Sequence, residues 1–408
     1  MKSLAHEPLP ADAVPAHPQA APGRPKVVFI HVPKSGGTTL DTIFRDHFFD
    51  TPLYPPVGPN KLGGVLDQLR DPRNRYVGGH YPVGTVPLDA FDRKVTIVRS
   101  PLDVICSRLS FKNKLANAPP EALSPLELAG ATLRIYEKYF SPCFEVERCK
   151  SDARQGVFQG LGSYVPTCAF QEVVDQVYAF DDVLDFARLD EGIKCFLIEN
   201  GYFPYRSIQK KRAYAYEPDY ERARKLLSEF DERFYAAARE RFRTIPSDVE
   251  LRYEQYRADY CRTRGLSLQV HEERRLDLRG PIGSSWFNVE TSEEGKPFRW
   301  SEDRHATVEI PVAQAGIYDV TLSVTASAVD DVLLTACTTL EPRAFPVTES
   351  RTAGAQVFTA QVVTRAHDWI HLAFDLQRSA ATTAVPQEGD VRALGVVLGD
   401  VRVARRPA

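Results

Sequence analysis

Residues 26–44, KVVFIHVPKSGGTTLDTIF, constrain the fold more than any other stretch of the chain. The β-branched and aromatic run KVVFIHV (26–32) reads as a buried strand, and Pro33 stops it. The small-residue turn PKSGGTT (33–39) then opens into a helical pattern. A strand feeding a helix through such a turn aims backbone N–H groups and the helix N-terminus at an anion. Gly36 and Gly37 permit close backbone approach, Lys34 adds a point charge, and Ser35, Thr38 and Thr39 supply hydroxyls. The familiar nucleotide loop, GxxxxGK[ST], places its lysine after the glycines. Here the lysine comes first, which argues against ATP or GTP hydrolysis. On the loop alone, an ordinary strand–helix turn with an exposed lysine remains open.

The 408 residues exceed one typical domain, and their texture changes near residues 266–275. Before that point short apolar strands alternate with amphipathic helices, the pattern of an α/β layer fold. YVGG (76–79) and KVTIV (94–98) are strand candidates, and RSPLDVICSRLSF (99–111) starts a helix with Pro101 in its first turn. Segments 125–140 and 217–243 read as helices. The second carries Leu226, Leu227, Phe230 and Phe234 along one face. Beyond the boundary strict alternation takes over in short runs separated by Gly, Pro, Asp and Ser, which predicts an antiparallel β-sandwich. The expected organisation is a Pro/Ala-rich disordered leader over 1–24, an α/β domain over 25–266 and a sandwich over 267–408.

A formal net charge of −3 gives no global reason for a nucleic-acid partner, so an anion site has to be local. The seven cysteines show no CxxC and no spacing for a metal, which fits free thiols in a reducing compartment, with Cys143–Cys149 as a possible pair. No run approaches the length of a membrane span, and the leader has no signal-peptide core. These features predict a cytoplasmic protein without a transmembrane segment. They assign no oligomeric state.

The loop FIHVPKSGGTTL resembles the 5′-phosphosulfate loop of sulfotransferases that use 3′-phosphoadenosine 5′-phosphosulfate (PAPS). It is most similar to the carbohydrate branch related to heparan sulfate 2-O-sulfotransferase and bacterial family 2 sulfotransferases. That family holds the 3′-phosphate of PAPS with an arginine at a strand end and a serine eight residues later. VTIVRSPLDVICSRL supplies Arg99 and Ser107 at that spacing. An arginine can grip phosphate through two parallel N–H bonds. The family's Gly-His pair is matched in RYVGGHYPVG (75–84), and the resemblance implies that His80 is the catalytic base. Histidine suits that role because its pKa lies near neutrality. His31, inside the first strand, is expected to pack or to support. Lys210, Lys211 and Arg212 in SIQKKRAYAY (207–216) match the basic residues the family places over the 3′-phosphate, and a solvated charge run is the plain alternative.

The resemblance covers roughly residues 26–245. It implies a P-loop-like parallel sheet flanked by helices, PAPS as co-substrate, no metal, and a bacterial-type enzyme passing a sulfonyl group to a glycan or other hydroxylated acceptor. On that reading Lys34 stabilises the leaving phosphate and His80 takes the hydroxyl proton. Loops 51–75 and 112–125 are expected to line the acceptor site. The stretch 285–312 resembles small sandwich units appended to bacterial glycan-modifying enzymes. Trp286, Trp300 and Trp369 then either stack on sugars or fill the sandwich core. Two other readings compete: a P-loop nucleotide kinase with an unusual loop, and a non-catalytic glycan-binding protein.

Overall fold

The computed structural model describes residues 25–48, 74–116, 134–146, 164–206, 220–284, 286, 289–292, 294–302, 305–327, 331–339, 343–352, 355–377 and 394–407. Lys210, Lys211 and Arg212, the 1–24 leader, Cys149 and most of the two acceptor loops lie outside these residues.

Four parallel strands form the first sheet: β1 (Val27–Ile30), β2 (Tyr76–Gly79), β3 (Arg93–Val98) and β6 (Asp182–Asp185), in the order β2-β1-β3-β6. Their near-continuous apolar character is what burial on both faces demands. One face (Val28, Ile30, Val77, Val98, Val183) packs against α3 (Ile135–Phe140), α4 (Phe170–Tyr178) and α7 (Glu229–Ala238). The other (Val27, Phe29, Val95, Ile97, Leu184) packs against α1 (Gly37–His47), α5 (Leu189–Asn200) and α8 (Val249–Arg264). The chain passes from β1 to β2 on one side and then to β3 on the other. This makes the carboxyl end of β1 a topological switch point, where open α/β sheets place their ligands.

Two expectations need correction. Residues 217–243 are not one helix: α6 (Tyr220–Lys225) and α7 are separated at Leu226–Leu227, and the Ser228 hydroxyl caps α7 by accepting from the Phe230 amide at 3.2 Å. The apolar face divides accordingly. Phe230 and Phe234 join the sheet core, whereas Leu226 and Leu227 cover Ile105, Cys106 and Leu109 of α2 (Pro101–Ala116). The beginning of the expected 112–125 loop is in fact the last turn of α2, which continues to Ala116.

A short antiparallel ribbon, β4 (Phe144–Val146) with β5 (Tyr164–Pro166), stands beside α3. The C-terminal half is all antiparallel. Strands β7 (Glu273–Arg275), β8 (Glu290–Thr291), β9 (Pro297–Glu302), β11 (Gly316–Ser327), β13 (Val347–Thr352), β14 (Ala355–Thr364) and β16 (Leu394–Arg406) make the larger sheet. Strands β10 (His305–Val312), β15 (Asp368–Gln377) and β12 (Asp331–Thr338) make the smaller one. Alternate residues such as Tyr318, Val320 and Leu322 on β11, and Ile370, Leu372 and Phe374 on β15, meet between the sheets in one core.

The sandwich is built into the α/β half. Trp369 of β15 belongs to the α1/α5/α8 core, with its ring 4.4 Å under the Arg257 guanidinium. Arg257 pairs with Glu309 of β10 at 3.3 Å, and both are buried. Glu309 also accepts two bonds of 3.0 Å from the Arg206 amide. At the far end of α1, Asp46 pairs with Arg299 of β9 at 2.8 Å, again fully enclosed. Trp286 and Trp369 are 1% and 2% exposed and cannot stack on a sugar, while Trp300 is half-buried.

Candidate functional site

The carboxyl ends of all four parallel strands deliver side chains to one place. After β1 come His31 and the 33–36 turn, after β2 His80, after β3 Arg99, and after β6 the ring of Phe186. The turn is held in an unusual backbone shape. Lys34 has φ 69° and Gly36 φ 77°, both left-handed; for lysine this conformation is uncommon and costs about 1–2 kcal/mol.

The two glycines have separate packing reasons. A Cβ on Gly36 would lie 2.7 Å from the Phe186 ring, and one on Gly37 would lie 2.2 Å from the His31 imidazole. Gly36 caps α1 without any side-chain bond to the first turn. The Ser35 hydroxyl is completely buried in this turn and has no hydrogen-bond partner among the described residues. A buried hydroxyl with no partner costs free energy unless something binds it. Thr38 is exposed and Thr39 half-buried on the first turn of α1.

Arg99 is 8% exposed. Its Nη1 donates to the Lys34 carbonyl at 2.9 Å, and its guanidinium carbon stacks 4.1 Å from the centre of the Phe186 ring. The Tyr136 hydroxyl on α3 bonds both the Arg99 amide and the Arg99 carbonyl. The start of α3 is held in turn by Asp231, whose carboxylate accepts from the Ile135 and Tyr136 amides at 3.0 and 2.9 Å. Arg99 thus clamps the turn from beneath, and Ser107 sits half-buried along α2.

His80 has a defined tautomer. Its Nδ1 lies 2.6 Å from the His31 carbonyl oxygen, an obligate acceptor, so Nδ1 carries the hydrogen and Nε2 presents a lone pair. The His31 ring packs 4.3 Å from the His80 ring and 5.5 Å from Phe29. Burial lowers the His80 pKa from its ordinary value, with Arg108 and Lys34 adding to the effect against the opposing pull of the His31 carbonyl and Asp41. Burial, reinforced by His80 and Lys34, depresses His31 further. Both imidazoles are therefore neutral near pH 7.

Gly78 explains the rest of YVGGH. A Cβ there would strike the Tyr76 hydroxyl at 1.9 Å. That hydroxyl donates to Asp41 at 2.5 Å, and Asp41 also accepts from Arg45 at 2.8 Å.

Arg108, Asp41, Tyr136 and Phe186 were not singled out from the sequence. Arg108 had the clearest signal, since it directly follows Ser107 on the same helix. Phe186 had none, because its link to Arg99 exists only in three dimensions. Among the described residues there is no group of three or more His, Cys, Asp or Glu able to hold a metal ion, and no helix long and apolar enough to cross a membrane.

No protein-family profile and no curated protein matches the sequence. Solved structures similar to part of the chain include carbohydrate-binding modules. The C-terminal CBM6 of the laminarinase LamC from Zobellia galactanivorans is 12% identical, with a TM-score of 0.24, over 33% of this chain and 100% of that one. The β-1,3-glucan-binding CBM6 from Bacillus halodurans is 10% identical, with a TM-score of 0.24, over 35% and 100%. A carbohydrate-binding module of Cellvibrio mixtus lichenase 5A, in complex with cellotriose, is 11% identical, with a TM-score of 0.22, over 34% and 100%.

Proposed function

We propose that the α/β half transfers the sulfonyl group of PAPS to a hydroxyl of a glycan. The observation that carries this reading is the union of the Ser35 turn with a histidine of fixed tautomer. Ser35 Oγ is a buried hydroxyl awaiting a partner, and His80 offers Nε2 as a neutral base at the end of the adjacent strand.

Three features support a phosphosulfate. The left-handed Lys34–Gly36 turn precedes α1, Lys34 and Arg108 put positive charge beside His80, and α1 opens toward the turn. PAPS supplies the sulfonyl group and a bisphosphate leaving group. Ser35 and the turn amides hold the 5′ end, and Lys34 counters the charge that develops on the leaving oxygen. His80 Nε2 accepts the acceptor proton while Nδ1 stays anchored on the His31 carbonyl. Arg99 and Ser107 keep the proposed place at the 3′-phosphate, and Arg99 Nη1 also holds the turn in shape through the Lys34 carbonyl.

A second reading is a glycan-binding protein without turnover. It is favoured by the engagement of Arg99 with the Lys34 carbonyl and the Phe186 ring, which commits part of the expected anion ligand to internal contacts.

Calorimetry with adenosine 3′,5′-bisphosphate and with AMP tests the proposal on wild type and Ser35→Ala. Preference for the bisphosphate, with both ligands bound more weakly by the variant, is the expected result. Equal or absent binding overturns the sulfotransferase reading and leaves the binding protein.

A further inference from the structure

The strands β4 and β5 bring two cysteines to one end of their ribbon. Cys143 precedes β4 and Cys168 follows β5. The register Phe144↔Pro166, Glu145↔Val165, Val146↔Tyr164 is extended by the Thr167 amide, which donates to the Cys143 carbonyl at 3.3 Å. The Cys168 sulfur lies 3.1 Å from the Cys143 nitrogen, 3.1 Å from the Cys143 oxygen and 3.1 Å from the Ser141 hydroxyl.

We propose that Cys143 and Cys168 are a disulfide-forming pair that exchanges with low-molecular-weight disulfides. A disulfide needs Cα atoms about 4.4–6.8 Å apart. A sulfur touching its neighbour's own amide and carbonyl leaves side-chain rotation as the movement required. The neighbouring Cys168 thiol raises the Cys143 pKa, so exchange accelerates as pH rises.

The order of events follows from exposure, since Cys143 is exposed and Cys168 half-buried. The Cys143 thiolate attacks one sulfur of the small disulfide and expels a thiolate, leaving a mixed disulfide on Cys143. The Cys168 thiolate then attacks the Cys143 sulfur and expels the second. The protein loses two protons and two electrons, and one small disulfide becomes two small thiols.

The pair sits against the wall of the site. The Ser141 carbonyl, two residues before Cys143, accepts from the Gly84 amide at 3.1 Å, four residues beyond His80. Ser141 also ends α3, the helix whose Tyr136 holds Arg99. Closing the disulfide fastens β4 and β5 to that wall.

The test is exchange of the reduced full-length protein with glutathione disulfide, followed by mass spectrometry. The expected product is lighter by two hydrogens, has two fewer alkylatable thiols and yields a peptide joining Cys143 to Cys168. It forms unchanged in Cys149→Ser, whereas Cys168→Ser stops at glutathione on Cys143. A wild-type protein that retains glutathione on Cys143, stays unmodified, or joins Cys143 to Cys149 overturns the proposal.

Discussion

Arg99 Nη1 and the Lys34 carbonyl are 2.9 Å apart, and this bond joins the ends of β3 and β1 across the candidate site. It fixes the strained turn through a residue that the sequence suggested as a ligand. Arg99→Ala is therefore expected to act by loosening the turn. Replacement by lysine should rescue little, because a lysine cannot both bond the carbonyl and lie flat on Phe186.

Ser35→Ala separates binding from stability. The wild-type hydroxyl is buried without a partner among the described residues, so its removal should leave stability unchanged or raise it by about 1 kcal/mol in urea unfolding. The same substitution should weaken bisphosphate binding roughly 10-fold or more, the loss of one hydrogen bond to a charged group. A variant that loses stability and keeps its affinity would make Ser35 a packing residue.

His80 should give the acid limb of a pH–rate profile. Its folded pKa lies below the ordinary 6.5, so the neutral base persists until the pH falls beneath that value. We expect kcat/KM for sulfonyl transfer to be flat through neutrality and to decline only below about pH 6.5, the ordinary histidine value. His80→Gln should abolish turnover while bisphosphate affinity changes less than about 3-fold, within about 0.7 kcal/mol.

Asp231 should make stability depend on pH in the opposite sense to most carboxylates. Burial raises it from 3.8 to about 6, so the folded protein binds this proton more tightly than the unfolded chain. The group's contribution is most favourable below the unfolded value and is lost as pH rises through about 6. Relative to Asp231→Asn, wild type should lose on the order of 3 kcal/mol between about pH 4 and pH 7, measured by chemical denaturation.

Glu309→Ala should be the most damaging single change at the junction of the two halves. It leaves Arg257 buried without its carboxylate, which typically costs about 3–5 kcal/mol. It also takes the acceptor from the Arg206 amide. Replacing Arg257 and Glu309 together with apolar residues should recover much of that loss, as measured by thermal unfolding in a double-mutant cycle.

What the sequence disclosed was mostly local. The β1–turn–α1 unit, YVGG as β2 and the alternating strands of the sandwich were readable because each is written in consecutive residues with a fixed period. The meeting of the 33–39 turn, His80 and Arg99 was readable through their positions at strand ends. The break at Ser228 was not, because four apolar residues in helical phase hid the fact that they serve two different cores. Trp369 and Glu309 were equally opaque. Their alternation assigned them to a strand, but nothing in it said that the outward face of that strand would be covered by α8. The work of Gly37, making room for His31, could not be told from the work of a glycine that admits a ligand.

The pairing of Asp46 with Arg299 bears on how such a chain can be inherited. α1 begins at the 33–36 turn and ends on a carboxylate neutralised by the sandwich, so the two halves share one electrostatic seam. Recombination that exchanged the sandwich for an unrelated one would bury an unbalanced charge at the end of the very helix that shapes the turn. The seam makes the halves a single heritable unit: surfaces facing solvent can diverge freely, whereas Asp46 and Arg299 can change only in concert.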